Sequence, residues 1–356
     1  MSHCLRRHLP SPLLTLLALG LSVPALAQQD TTACRAIADD QARLRCYDQA
    51  TAPRAEAATT PETTDAAAPP AAPDGRDHPA FAQRSRNGEP GTLSQRWELE
   101  PEDKLGLFRV TAYRPTYALF ARYSGNPNRS PSTPAPGHQV AAPLDLDDIE
   151  SKFQLSFKTK AAQNLFGDNG DLWFGYTQQS SWQVYNSINS APFRETNYEP
   201  EVFLTLRTNA RFLGFDWRLL NLGAVHQSNG RDLPLSRSWN RVYAQVGLER
   251  GNLSLFVRPW LRIDEPNATD DNPDITDYMG HGDLLAVYHR GEHEFSALTR
   301  YSGVGNRATV QLDWHFPLLG ALKGYVQLFS GYGETLVDYN IRQNTLGVGV
   351  SLTQWQ

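Results

Sequence analysis

The chain has 356 residues, 38 of them acidic and 33 basic, for a formal charge of −5 at pH 7. That balance argues against a nucleic-acid partner, whose binding needs a basic face. Beyond the N-terminal leader no stretch approaches 18 consecutive apolar residues, which excludes a membrane-spanning helix but leaves open a membrane protein built from strands.

The opening MSHCLRRHLPSPLLTLLALGLSVPALAQQD places Arg6 and Arg7 ahead of an apolar run ending at Ala25-Leu26-Ala27, the small-x-small pattern of a signal peptidase site. Residues 1–27 are read as a removed leader, after which the formal charge is −7 because two arginines and no acids depart. Export places the chain where disulfides persist. Cys34 and Cys46, the even pair left once Cys4 is gone, are expected to staple a small helical segment over 28–50. Two cysteines with no nearby histidine make a poor metal site. Residues 51–97, dominated by Ala, Pro and Thr, cannot bury enough apolar surface to order themselves and read as a disordered linker.

From residue 98 to the end the hydrophobic period is two. In KFQLSFK, Phe153, Leu155 and Phe157 alternate with Lys152, Gln154, Ser156 and Lys158; in NRVYAQVGLE, Val242, Ala244, Val246 and Leu248 alternate with Arg241, Tyr243, Gln245 and Glu249. Similar segments recur at 107–123, 171–180, 200–208, 217–228, 252–263, 283–289, 293–301, 307–316, 323–332 and 345–355, so the count is 12. Long polar connections such as 264–282 alternate with short ones such as HRGEH, the loop asymmetry of an outer-membrane barrel. A soluble β-sandwich would also alternate. Strands of about 10 residues, an even count, a leader and aromatic residues near strand ends (Trp173, Trp217, Trp260, Trp314, Trp355) favour an all-β, 12-stranded antiparallel transmembrane barrel.

HQSNGRDLPLSRSWN, residues 226–240, carries the chemistry. Residues two apart on a strand share a face and sit about 7 Å apart, so His226 and Ser228 are neighbours, with a hydroxyl and an imidazole in the relation an activated nucleophile needs. Leu220, Leu222 and Ala224 share their parity, and Asn240 shares that of Val242, Ala244 and Val246. In a barrel the apolar face meets lipid, so three polar groups of catalytic type fall on the outer wall, a costly place for them without a function. Asn229-Gly230 is a turn dipeptide that frees a backbone N–H close to Ser228. Arg231, Asp232, Ser236, Arg237 and Ser238 add polar atoms for an ion or a headgroup. H-x-S alone is weak, and a decorated hairpin on a passive porin-like or adhesion barrel remains the other reading.

HQSNGR followed by SRSWNR, with SAPFRETNYEPEVF upstream and DDNPDITDYMG and FSGYGETLVDYNIRQNTLGVGVSL downstream, resembles the signature segments of the bacterial outer-membrane phospholipase A family, in order. The resemblance implies a Gram-negative outer-membrane enzyme, a calcium-dependent homodimer that cleaves the A1 and A2 acyl esters of membrane phospholipids and lysophospholipids. It implies Ser228 as nucleophile, His226 as general base, Asn240 as the group that holds the imidazole tautomer, and the Gly230 N–H as an oxyanion donor. It further implies Ca2+ held at the dimer interface by the Arg231 carbonyl, the Ser236 hydroxyl and Ser190 of the second copy, with Gln178 bonding across that interface. Leu233 stands where the family carries an aspartate of a second, monomer-state calcium site. The Cys34–Cys46 segment and its linker have no counterpart in the shortest family members, so an interaction module and an inert tether both remain open.

Three other clusters invite chemistry. The acidic run from Asp264 to Asp277 lacks the glycine and terminal glutamate of an EF-hand and reads as a solvated extracellular loop. Arg194, Glu195 and Tyr198 of PFRETNYEP, like His281 and Asp283, are assigned to a hydrogen-bonded network filling the barrel.

Overall fold

The structure, a computed structural model, describes residues 92–355 and, within a separate N-terminal unit, residues 34, 37, 39, 41–44 and 46. In that unit Cys34 and Cys46 are joined by a disulfide, their Cα atoms 5.6 Å apart, and residues 41–44 are helical. The leader and residues 51–91 lie outside the described residues.

The larger unit is an antiparallel sheet of β1 (Val110–Ala112), β2 (Tyr117–Ser124), β3 (Ile149–Ala162), β4 (Asp171–Trp182), β5 (Phe193–Phe212), β6 (Phe215–Ser228), β7 (Ser238–Arg250), β8 (Leu253–Ile263), β9 (Gly282–Arg290), β10 (His293–Ser302), β11 (Arg307–Leu319), β12 (Leu322–Gly331) and β13 (Gln343–Ser351). Each strand from β2 to β13 pairs with the next, and β13 returns to β2, closing the wall at 12 strands. β1 and β2 lie along the same side of β3, at Phe157–Thr159 and Ile149–Gln154. The single strand expected over 107–123 is thus interrupted at Tyr113–Thr116, where Pro115 offers no N–H to the ladder. β5 is far longer than the expected 200–208. Its first half is polar on both faces, Glu195, Asn197 and Glu199 inward and Thr196 and Tyr198 outward, which erases the alternation.

The connections 163–170, 213–214, 251–252, 291–292 and 320–321 gather at one end of the barrel, and the long ones, 125–148, 183–192, 229–237, 264–281 and 332–342, lie at the other together with the short turn 303–306. At the short-turn end, residues 92–97, which composition places at the end of the linker, form α1 (Leu93–Trp97), capped by Thr92 and Gln95 in a reciprocal capping box. Leu93 and Trp97 are buried in the lumen, Trp97 edge-on to Tyr113 and Phe203, with the Lys158 ammonium 3.9 Å from its ring centroid. A second short helix, α2 (Ile275–Met279), lies within the 264–281 connection.

The lumen is filled with paired charges. Arg122 bonds Glu150 (2.8 Å) and Glu334; Arg194 bonds Glu150 (2.9 Å) and Asp338 (2.8 Å); Lys152 reaches Glu334 at 3.2 Å. Burial alone would raise the Glu334 carboxyl, but Arg122 and Lys152 beside it bring it down to about 2. Glu195 bonds Asn197, Asn229 and the Val337 N–H, and Asp283 bonds Arg258 at 2.6 Å, so these members of the tempting clusters are built into the interior. Outward positions carry Leu155, Phe174, Val202, Leu222, Val242, Leu261, Leu312, Leu328 and Leu346, each between 37% and 68% exposed, a belt suited only to hydrocarbon. Of the tryptophans expected at the membrane rim, Trp314 faces outward in a stack with Phe295, whereas Trp173 and Trp260 are buried inside. Strand-end position alone does not give the face; parity does.

Candidate active site

β6 and β7 are registered so that His226 lies opposite Asn240 and Ser228 opposite Ser238. The intervening residues turn inward: Gln227 Oε1 accepts from the Trp239 indole (2.8 Å) and from Arg241 (3.1 Å). His226, Ser228 and Asn240 therefore occupy the outer wall at the long-loop end, beyond Leu222 and Val242. His226 is exposed, Ser228 and Asn240 half-buried. Directly opposed residues on an antiparallel pair have close Cβ atoms, and His226 Nδ1 meets Asn240 Oδ1 at 2.8 Å. With Nδ1 held there, Nε2 is the ring nitrogen left for the serine side.

The connection after Ser228 is folded around one side chain. Asn229 is buried; its Oδ1 accepts from the N–H groups of Arg231 (3.3 Å) and Arg237 (3.0 Å), its Nδ2 donates to the Leu235 carbonyl (2.7 Å) and to Glu195 (3.2 Å), and its own N–H bonds the Arg237 carbonyl (3.0 Å). Composition marks Asn229 only as a turn former. Its second role depends on Glu195, 34 residues away in sequence. Gly230 follows in the left-handed region, φ 60°, and a Cβ there would meet the Tyr198 ring at 3.2 Å, so a side chain would be strained by the backbone and crowded by the ring.

The acidic connection expected to be solvated is instead seated on this loop. Asp271 accepts from the Ser236 hydroxyl at 2.7 Å and the Ser238 hydroxyl at 3.3 Å, and its other oxygen lies 3.0 Å from His138 Nε2. Asp270 bonds Arg262 (2.6 Å), Asn272 accepts from the Ser238 N–H (3.0 Å), and Asp274 accepts from the Tyr339 hydroxyl. The acidic run lacks periodicity because its carboxylates bond to several different elements. Glu265, in the same run, accepts from Asn240 Nδ2 at 2.9 Å.

One register row links the remaining expected residues. Gln178 on β4 is paired with Tyr198 on β5, Tyr198 with Ser228 on β6, and Ser228 with Ser238 on β7. Gln178 shares the outward parity of Phe174 and Tyr176, and its Oε1 accepts from the Tyr176 hydroxyl at 3.1 Å. It lies two strands, about 10 Å, from Ser228 across an apolar wall. Tyr198, read from sequence as lumenal, faces outward and lines this row. Arg231 is exposed and Ser236 half-buried in the 229–237 loop, and Ser190 is exposed in the separate 183–192 connection with a left-handed φ of 59°.

A lipid-facing hydroxyl beside a histidine with an amide on its far nitrogen is a device for acyl transfer. Residues 93–352 match the family model described as Phospholipase A1. The chain belongs to the phospholipase A1 family. The phospholipase A1 of Escherichia coli (strain K12) is 45% identical over 203 residues, 57% of this chain and 69% of its own. Among solved structures, the outer membrane phospholipase dimer of Salmonella typhi with bound calcium superposes with a TM-score of 0.64 at 38% identity, covering 70% of this chain and 94% of that one. An Escherichia coli outer membrane phospholipase A with an asparagine-to-alanine active-site mutation gives 0.63 at 36%, covering 71% and 95%. This phospholipase is accordingly an enzyme of the Gram-negative outer membrane, a closed 12-stranded barrel whose apolar belt meets the hydrocarbon.

Proposed function

We propose that this phospholipase is a calcium-dependent homodimer that hydrolyses the A1 and A2 esters of phospholipids and lysophospholipids, with Ser228, His226 and Asn240 as its triad. The observation that carries the reading is the His226 Nδ1 to Asn240 Oδ1 contact of 2.8 Å beside Ser228 on the lipid-facing wall. The active-site asparagine of the Escherichia coli variant supports the role given to Asn240.

Asn240 Oδ1 accepts a hydrogen bond from His226 Nδ1–H and fixes the tautomer that leaves Nε2 basic. Nε2 takes the Ser228 proton as Oγ attacks the ester carbonyl; the same proton returns to the departing lysophospholipid hydroxyl, leaving the acyl chain on Ser228. Water, deprotonated by the same imidazole, then releases the fatty acid. The Gly230 N–H stabilises the oxyanion in both halves. Because the nucleophile faces hydrocarbon, substrate enters sideways from the outer leaflet, and the apolar wall around Leu222 and Val242 holds its chain.

The residues present fit calcium. Ser236 already presents its hydroxyl beside the Asp271 carboxylate, and the Arg231 carbonyl and the partner subunit's Ser190 complete a set of hard oxygen donors. When bound, calcium would supply positive charge where the ester carbonyl becomes an oxyanion. Leu233, largely exposed, offers no side-chain oxygen for a second ion in the monomer. Gln178, a polar group on an apolar wall about 10 Å from Ser228, is suited to bond its copy across the dimer axis. Dimerisation would then gate activity, since a membrane whose outer leaflet holds little phospholipid keeps monomers idle.

The test is fatty-acid release by the mature protein refolded in detergent micelles, measured with calcium, with chelator and with Ser228→Ala. Release that needs both calcium and Ser228 supports the reading. Release that persists in Ser228→Ala overturns the triad, and none from a folded barrel under any condition favours a passive porin-like barrel.

A further inference from the structure

We infer that Glu265 is a positioning residue for this triad, a fourth member that acts through Asn240; the inference rests on the Ser228–His226–Asn240 reading. Ile263, the last residue of β8, lies opposite Asn240. Glu265, two residues on, continues the same outward parity past the end of the strand. Pro266, which follows, biases Glu265 toward extended backbone. The Glu265 Oε1 accepts from Asn240 Nδ2 at 2.9 Å, while Asn240 Oδ1 faces His226 Nδ1 at 2.8 Å.

An asparagine amide can turn over and offer either its oxygen or its nitrogen to a neighbour, and only the surrounding hydrogen bonds decide which. An ionised carboxylate accepts and never donates, so Glu265 requires the amide nitrogen on its own side. The oxygen must then face His226, Nδ1 must carry the proton, and Nε2 must be the base that meets Ser228. Without Glu265 the amide loses this constraint, and a flipped Asn240 would donate to Nδ1 and protect the wrong tautomer.

Glu265 also supplies what an amide lacks. A triad aspartate places negative charge next to the imidazolium that forms as the serine attacks; asparagine has none. Here the charge sits one amide further out, joined to the ring by two hydrogen bonds in series that polarise each other. Glu265 is half-buried at the rim of an apolar wall and, among the described residues, joins no ion pair, so its carboxylate is not there to neutralise a basic neighbour.

The test uses the full-length mature protein in micelles with calcium, reading phospholipid hydrolysis and the rate at which an alkylsulfonyl fluoride modifies Ser228. Glu265→Ala is expected to lower kcat and the modification rate roughly tenfold with KM little changed. Glu265→Gln, which keeps an acceptor but not the charge, should fall between. The decisive variant reverses the pair: Asn240→Asp sets two carboxylates against each other and should lose activity, and adding Glu265→Gln should restore part of it, because a donor again faces a carboxylate. A residue that only supported the loop would not show that rescue. Equal rates for the unmodified protein and Glu265→Ala, or a double variant no better than Asn240→Asp alone, overturn the positioning role and leave the triad standing. Failure of the unmodified protein to react at Ser228 overturns the triad, and Glu265 with it.

Discussion

Inside the barrel, Arg122, Lys152 and Arg194 are set against Glu150, Glu334 and Asp338 in a closed cluster of three cations and three anions, all nearly solvent-free. On the outer wall of the same sheet, Ser228, His226 and Asn240 are exposed or half-buried; His226 bonds Asn240, and Asn240 bonds Glu265. The lumenal groups are tied to so many partners that losing one strands another charge in a poor solvent. The outer groups leave little stranded when removed. Polar residues inside this wall are therefore expected to show their value in folding, and those outside it, as the proposed triad, in the reaction.

Ser228→Ala should break the comparison at its widest point, lowering hydrolysis by about 10⁴-fold or more, as nucleophile removal does in other triads. Unfolding of the refolded barrel in denaturant should be unchanged. Glu334→Leu should do the reverse, because Arg122 and Lys152 would lose a carboxylate held ionised at neutral pH and Arg122 would keep Glu150 as its one carboxylate partner, beside the neutral Gln343. A loss of about 3–5 kcal/mol in stability is expected, with the specific activity of the folded fraction retained. An outer-wall variant that unfolds the barrel, or a lumenal one that silences a folded enzyme, would erase the distinction.

Asn240→Ala sharpens it at a smaller scale. The asparagine carries no charge, so its removal should cost less than loss of a triad aspartate, about 100-fold in kcat, again without a change in the denaturation midpoint. A loss as large as that of Ser228→Ala would mean that Asn240 does more than hold the tautomer.

The period-two pattern carried the barrel, its strand count and its loop asymmetry, because one face of nearly every strand meets hydrocarbon and the contrast with the lumen survives in the residues themselves. It failed where that contrast fades: at Pro115, where the first strand breaks in two, and along Glu195–Tyr198, polar on both faces. The face of His226, Ser228 and Asn240 was readable from parity with Leu222 and Val242. Asn229, Asp271 and Glu265 were not readable in their roles, since each bonds a partner on an element distant in sequence and no local spacing records that. Trp173 and Trp260 misled because an aromatic ring fits a packed lumen as readily as a membrane rim.

Gln178 offers the finest test, because it belongs to the outer wall yet should act on neither folding nor chemistry directly. Its amide sits beside Tyr176 and opposite Leu155, bonded to the Tyr176 hydroxyl and at 3.4 Å to Ser180. In a monomer that leaves hydrogen-bonding capacity facing hydrocarbon, a modest cost; across a dimer axis the same capacity meets its copy. Gln178→Ala should thus weaken association by only about 1 kcal/mol, seen by sedimentation in micelles as a several-fold rise in the dimer dissociation constant. Activity should fall at low protein-to-detergent ratio and recover at high ratio, where mass action restores the dimer. Activity that falls equally at every ratio would place Gln178 in the substrate groove instead, two strands from Ser228 and on the same row.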